Sequence, residues 1–250
     1  MDDLTGQHAL VTGGGTGIGL AIAQMLQAQG AEVTITGRRA DVLEAAGDQF
    51  HPVAMDVNDE TATRSAIARS RMDRGPISIC VANAGIAEGG PFDTVTLADW
   101  RRMMSINLDG AFVTMQACLA TLPHDHWGRY IAISSIAGLR GLRGAVPYTV
   151  SKHGLIGLVR GLSEEYMRRP VTFNAICPGY VETDIVTRQV PLIAKRDGIS
   201  EDAARAILAG GNRHKSLLHV EEIAATARYL VGFGSNSVNG QTLTIAGGQL

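Results

Sequence analysis

Tyr148 and Lys152 stand four positions apart in Tyr148-Thr149-Val150-Ser151-Lys152, a spacing that sets two side chains on one face of a helix. An ammonium beside a phenol favours the phenolate, so the pair has the makings of a general acid/base working near neutral pH. Ser135, in Ile133-Ser134-Ser135-Ile136-Ala137-Gly138, adds a hydroxyl thirteen positions upstream. A Tyr-x-x-x-Lys pair occurs on many amphipathic helices. Its weight rests on what accompanies it.

The first companion is a glycine loop, Gly13-Gly14-Gly15-Thr16-Gly17-Ile18-Gly19, set between an apolar run and a helical one. Glycines let the backbone turn sharply and approach a pyrophosphate, while the helix start offers unpaired N–H groups and a positive dipole end. The spacing Gly-x-x-x-Gly-x-Gly differs from the Gly-x-Gly-x-x-Gly fingerprint, and alone it suggests a dinucleotide without specifying a chemistry. Roughly 20 positions past such glycines, the end of the second strand meets the adenosine ribose, and an acid there repels a 2′-phosphate. Here that position is Gly37, followed by Arg38 and Arg39. The acid is replaced by cations, so NADP(H) is expected over NAD(H).

Short β-rich runs alternate with longer helical ones, the pattern of a parallel sheet with helices on both faces. Strands are expected over 8–12, 32–36, 52–55, 77–82, 130–134, 172–176 and 242–245, which makes seven. Helices are expected over 18–29, 62–71, 98–120, 151–167 and 220–231. Right-handed crossovers then build an α/β, doubly wound, Rossmann-like sheet in a single domain spanning 1–250. The stretch 186–219 lacks a strand and carries Pro191, Gly198, Gly210 and Gly211; it reads as an insertion over one end of the sheet, a lid for substrate, with a helix around 199–203.

A formal charge of -2 over 250 residues gives no basic field for nucleic acid. Cys80, Cys118 and Cys177 are far apart, with no Cys/His cluster for a metal, and read as buried thiols in a reducing compartment. No basic segment leads into an apolar one at the start, and no run of about 18 apolar residues occurs, so the expectation is a cytoplasmic protein with no membrane span.

Taken in order, these motifs resemble those of the short-chain dehydrogenase/reductase family over essentially the whole chain. The resemblance implies that Gly13, Gly15, Thr16, Gly17, Ile18 and Gly19 hold the cofactor phosphates, with Arg38 and Arg39 at the ribose. It implies that Asp56-Val57 clamps the adenine and that Asn83-Ala84-Gly85 forms the turn after the fourth strand. Pro178-Gly179, with Val181 and Thr183, corresponds to the segment at the nicotinamide carboxamide. Asn107, Ser135, Tyr148 and Lys152 complete a catalytic tetrad. In it Ser135 holds the substrate oxygen, Tyr148 passes the proton, and Lys152 binds the nicotinamide ribose and lowers the tyrosine pKa. Asn107 supports the lysine through a water, and a hydride passes between the substrate carbon and nicotinamide C4. Pairing of the helices over 98–120 and 151–167 between subunits is common in this family, which implies a homotetramer.

The C-terminal half looks like the 3-hydroxybutyrate dehydrogenase subgroup, with Tyr180 and Gln189 on the substrate side. Three polar ligands of that subgroup are alanines here, Ala87, Ala137 and Ala145, so a short acid loses its grip and a roomier, more apolar pocket is expected. The substrate is then a secondary alcohol, a ketone or a 3-oxoacyl compound. A non-catalytic dinucleotide-binding or scaffold protein is the alternative, disfavoured because a pure binder has no need of the tyrosine. A sugar-nucleotide epimerase uses the same Tyr-x-x-x-Lys, but too few residues follow Pro178 for its larger C-terminal domain.

Overall fold

The computed structural model describes residues 3–249. Seven strands form one parallel sheet: β1 (His8–Thr12), β2 (Glu32–Gly37), β3 (His51–Ala54), β4 (Ile77–Ala82), β5 (Gly128–Ile133), β6 (Val171–Pro178) and β7 (Thr242–Ile245), in the order β3-β2-β1-β4-β5-β6-β7. The chain steps outward from β1 to β3, then returns to the other side of β1 as β4. The strand tips part at that reversal and leave a crevice at the carboxyl end of the sheet.

β1, β4, β5 and β6 are buried along their whole length. Their near-continuous apolar runs are what a sheet covered on both faces requires. Successive side chains point to opposite faces. Ala9, Val11, Val33, Ile35, Val81 and Ile133 pack under α1 (Gly17–Ala28) and α9 (Val220–Val231), where Ile22, Leu26, Ile223 and Leu230 meet them. Leu10, Cys80, Ala132, Phe173 and Ala175 face the other way, onto α5 (Gly110–Thr121) and α6 (Val146–Glu165) through Met115, Leu155 and Val159. Fully burying each such Leu or Ile contributes about 1.5–3 kcal/mol, so the sheet is rigid enough to hold its tips in place.

Four local expectations are corrected. The helix expected over 98–120 is α4 (Leu97–Met104), a π-helical turn (Ser105–Asp109) and α5. One extra residue per turn leaves the apolar periodicity nearly intact, so sequence hides the interruption. The helix expected from Ser151 begins at Val146, with Pro147 in its first turn, where a missing N–H costs nothing. The stretch 186–219 is mostly helical, holding nearly all of α7 (Asp184–Asp197) and the whole of α8 (Glu201–Gly210). Pro191 lies inside α7 on its exposed side, and α7 ends where Gly198 takes φ +65°. Short α2 (Ala40–Glu44) follows β2 and α3 (Glu60–Arg74) follows β3; the first was not expected, and the second extends past 62–71 at both ends.

α7 and α8 carry an apolar cluster of their own, built from Val186, Val190, Ala194, Ala204, Leu208 and Leu217 with Tyr180 against it, separate from the two cores on the sheet.

Candidate active site

β1 delivers the chain into the glycine loop at the crevice. Gly13 and Gly17 adopt φ +63° and +54°, the left-handed region that glycine enters without strain. A Cβ on Gly19 would lie 2.3 Å from the Gly13 carbonyl oxygen, so the turn closes only around a bare backbone. Asn83 Nδ2 donates to the carbonyls of Thr12 (2.9 Å) and Gly13 (3.3 Å). The Thr12 hydroxyl in turn accepts from the Asn83 and Ala84 N–H groups, each at 3.0 Å. Asn83 thus braces the loop, and Thr12, the end of the expected first strand, ties the tips of β1 and β4 together, a role its sequence position did not disclose.

A cleft of about 200 Å³ opens beside this loop, lined by Gly13, Gly15 and Thr16, by Gly37, Arg38 and Arg39, by Asp56 and Val57, and by Ala84 and Gly85. These come from four different segments of the expected cofactor set. Val42, Leu43, Met55, Asn58, Ile86 and Ile106 also line it and were not anticipated. Thr16 at the start of α1 makes no side-chain cap, so the first N–H groups of α1, which include Gly17, Ile18 and Gly19, remain free of a side-chain acceptor. Arg38 and Arg39 are exposed, and neither has an acidic partner among the described residues. An uncapped helix start and nearby guanidiniums fit a dinucleotide, whose diphosphate oxygens are acceptors only.

The tetrad residues converge where β5, the π-turn and α6 meet. Ser135 follows β5 and opens a short turn over Ile136–Gly138, its Oγ accepting from the Ala137 N–H at 3.1 Å. Tyr148 is half-buried in the first turn of α6. Burial raises its pKa, a hydrogen bond with Ser135 lowers it, and the nearby Tyr180 phenol and Cys177 thiol raise it further. Lys152 is buried; its Nζ donates to the Ile133 carbonyl at 2.9 Å and lies 5.7 Å from the centre of the Tyr148 ring. Burial pulls its pKa down to about 8, which leaves it mostly cationic at pH 7. Burial, the largest influence, sets the direction, and the phenol stands above its ordinary value.

Asn107 sits in the π-turn, buried. Its Oδ1 accepts from the Ile86 N–H (2.8 Å), and its Nδ2 donates to the Ile86 carbonyl (2.9 Å) and to Ser151 Oγ (3.0 Å). The Nδ2 hydrogens are therefore committed within the protein, while Oδ1, with one bond, keeps a second lone pair.

At the other rim, Pro178 ends β6 and the Gly179 N–H donates to the Ile245 carbonyl at 2.8 Å. Val181 is buried and bridges to Leu218. Thr183 precedes α7 and lies beside Gly17, its methyl 3.3 Å from where a Gly17 Cβ would stand. Tyr180 joins the α7–α8 cluster, while Gln189 is half-buried on α7. Ala87 and Ala145 keep partial exposure. Ala137 has no exposed surface and lies beneath the site.

The family model described as short chain dehydrogenase matches residues 7–192. The chain belongs to this family. It is 32% identical over 252 residues to the D-beta-hydroxybutyrate dehydrogenase of Rhizobium meliloti (strain 1021), covering 96% of this chain and 97% of that protein. It is 34% identical over 244 residues to the acetoacetyl-CoA reductase of the same strain, covering 96% and 97%. A variant of actinorhodin polyketide ketoreductase solved with NADPH superimposes with a TM-score of 0.91 at 29% identity, over 97% of each chain. The chain is an oxidoreductase of this type, and a nicotinamide cofactor held in this cleft would supply or accept the hydride at a carbonyl or secondary-alcohol carbon. Among the described residues no helix is long and apolar enough to cross a membrane, and no group of His, Cys, Asp or Glu forms a metal site.

Proposed function

We propose that this short-chain dehydrogenase reduces ketones or 3-oxoacyl compounds to secondary alcohols with NADP(H), using Tyr148 as proton donor. The observation that carries the reading is a convergence: Lys152 Nζ lies 5.7 Å from the centre of the Tyr148 ring and Ser135 reaches its phenol, which burial keeps protonated for delivery to a carbonyl oxygen. Ser135 holds the same oxygen and orients it toward the phenol. The Lys152 cation stabilises the phenolate left after transfer and grips the nicotinamide ribose, and Asn107 fixes the turn through which the proton is replaced. Arg38 and Arg39 would hold the 2′-phosphate, Asp56 and Val57 the adenine, and the segment 178–183 the carboxamide.

Ala87 and Ala145 support a pocket wall without charge, so chain length should be tolerated and a short carboxylate should not be selected. The segment 186–219, with its own apolar cluster, would serve as the lid over this pocket, bringing Tyr180 and Gln189 to the substrate. A panel of ketones and secondary alcohols, with both cofactors and read at the nicotinamide absorbance, tests the proposal. Turnover should favour medium-chain and 3-oxo thioester substrates over acetoacetate; redox inactivity across the panel would leave a dinucleotide binder.

We also propose a homotetramer in which α5 and α6 pair between subunits. Phe112 and Val150 are exposed, and Gly157 and Gly161 face open space where a second helix can approach closely. Sedimentation at micromolar concentration should show four subunits, and a monomer there removes the assignment.

A further inference from the structure

We infer that Ser151 is a positioning residue for the Tyr148 acid/base, acting through Asn107. The inference rests on the reading of Tyr148 given above.

Ser151 is fully buried on α6, between Tyr148 and Lys152. Its hydroxyl donates to the Tyr148 carbonyl at 2.7 Å and accepts from Asn107 Nδ2 at 3.0 Å. A serine has one hydrogen to give, so this pair of contacts fixes its direction: amide to hydroxyl to carbonyl. Each bond polarises the next in such a chain. The far end is anchored as well, because Asn107 is clasped on both its amide atoms by Ile86, in the loop after β4.

The hydroxyl therefore links three separate pieces of the site: the β4 loop, the π-turn and the first turn of α6. α6 packs closely on the π-turn at this point: a Cβ on residue 154 would come 2.7 Å from the Leu108 side chain, which would have to move aside. From the opposite side, Ser134 Oγ donates to the Lys152 carbonyl at 3.0 Å. Held between these two serines, the first turns of α6 are fixed along the helix and in rotation. Tyr148 and Lys152 both project from that stretch. A displacement of about 1 Å in such a group can lower a rate on the order of a hundredfold.

Removing the hydroxyl leaves the π-turn its other bonds, since Asn107 Nδ2 keeps the Ile86 carbonyl and Met103 Sδ. Ser151→Ala should thus fold. Its kcat is expected to fall on the order of tenfold, with KM and cofactor affinity, titrated directly, within about twofold of wild type. The limb of the kcat–pH profile that reports the phenol should move to higher pH, because a misplaced phenolate loses the support of its neighbours. In an Asn107→Ala background the same substitution should lower kcat by less than about twofold more, since the two act as one unit.

An unchanged kcat and pH profile in Ser151→Ala overturns the inference, even if the melting temperature falls. So does a double variant in which the two losses multiply independently. If Ser151→Ala does not fold, Ser151→Cys, of similar volume and with a weaker donor, is read by the same criteria. Tyr148→Phe separates this from the underlying reading: turnover retained there removes the acid/base role itself, whereas Tyr148→Phe inactive with Ser151→Ala normal removes only the role of Ser151.

Discussion

Tyr148→Phe should lower kcat by about a hundredfold or more, the scale of a lost general acid/base, while cofactor affinity stays within about twofold. Phenylalanine keeps the ring in its half-buried place on α6 and deletes only the hydroxyl, so packing gives no other route to a large loss. The direction of the wild-type pKa adds a pH signature. Burial raises the phenol above its ordinary value, so the protonated form that donates to a carbonyl is the resting one, and the phenolate that accepts from an alcohol forms only as pH rises. Reduction should therefore hold through neutral pH and decline under alkaline conditions, while oxidation climbs. Steady-state rates in both directions across pH 6–10 check this; a Tyr148→Phe enzyme with wild-type rates removes the residue from the chemistry.

The second large effect concerns cofactor choice. Wild type should bind NADP(H) more tightly than NAD(H) by roughly tenfold to a hundredfold, if a guanidinium–phosphate contact contributes about 1.5–3 kcal/mol. Gly37 ends β2 with room above it: a Cβ there would stand 3.5 Å from Leu43, an ordinary contact, so an aspartate fits. Gly37→Asp together with Arg38→Ile should reverse the preference, because the carboxylate accepts from a ribose hydroxyl and repels a phosphate. Direct titration of both proteins with both cofactors is the measurement. Equal or tighter NAD(H) binding by wild type would mark Arg38 and Arg39 as surface cations, and Tyr148 would keep its role.

The sheet was readable because both its faces are covered. Strands such as Ile77–Ala82 are apolar but for one residue, Ser78, and that span was placed as it stands; elsewhere strand ends differed by one or two residues. α2 was not readable, since five residues give too little periodicity to detect. The π-turn hid inside a helical pattern, although Asn107 at its centre was picked out by family resemblance. The early start of α6 had a local signal, Pro147 ahead of Tyr148, that outweighs the apolar stripe beginning at Ser151. Within the site the side chains were legible and their partners were not. The carbonyl of Ile133, both backbone groups of Ile86 and the hydroxyl of Ser151 hold the tetrad, and a backbone group carries no mark of its use in the sequence.

The α7–α8 cluster has a bearing on how such a protein diversifies. Val190, Ala194, Ala204 and Leu208 satisfy one another and contribute to neither core beneath the helices of the sheet. Substitutions among them would leave the packing of β5 and α6 untouched, and on the proposed reading they would alter what lies over the crevice. The reverse also holds, so the two regions can accumulate change at different rates. A scaffold divided in this way can exchange its selectivity as a module while its chemistry is inherited intact.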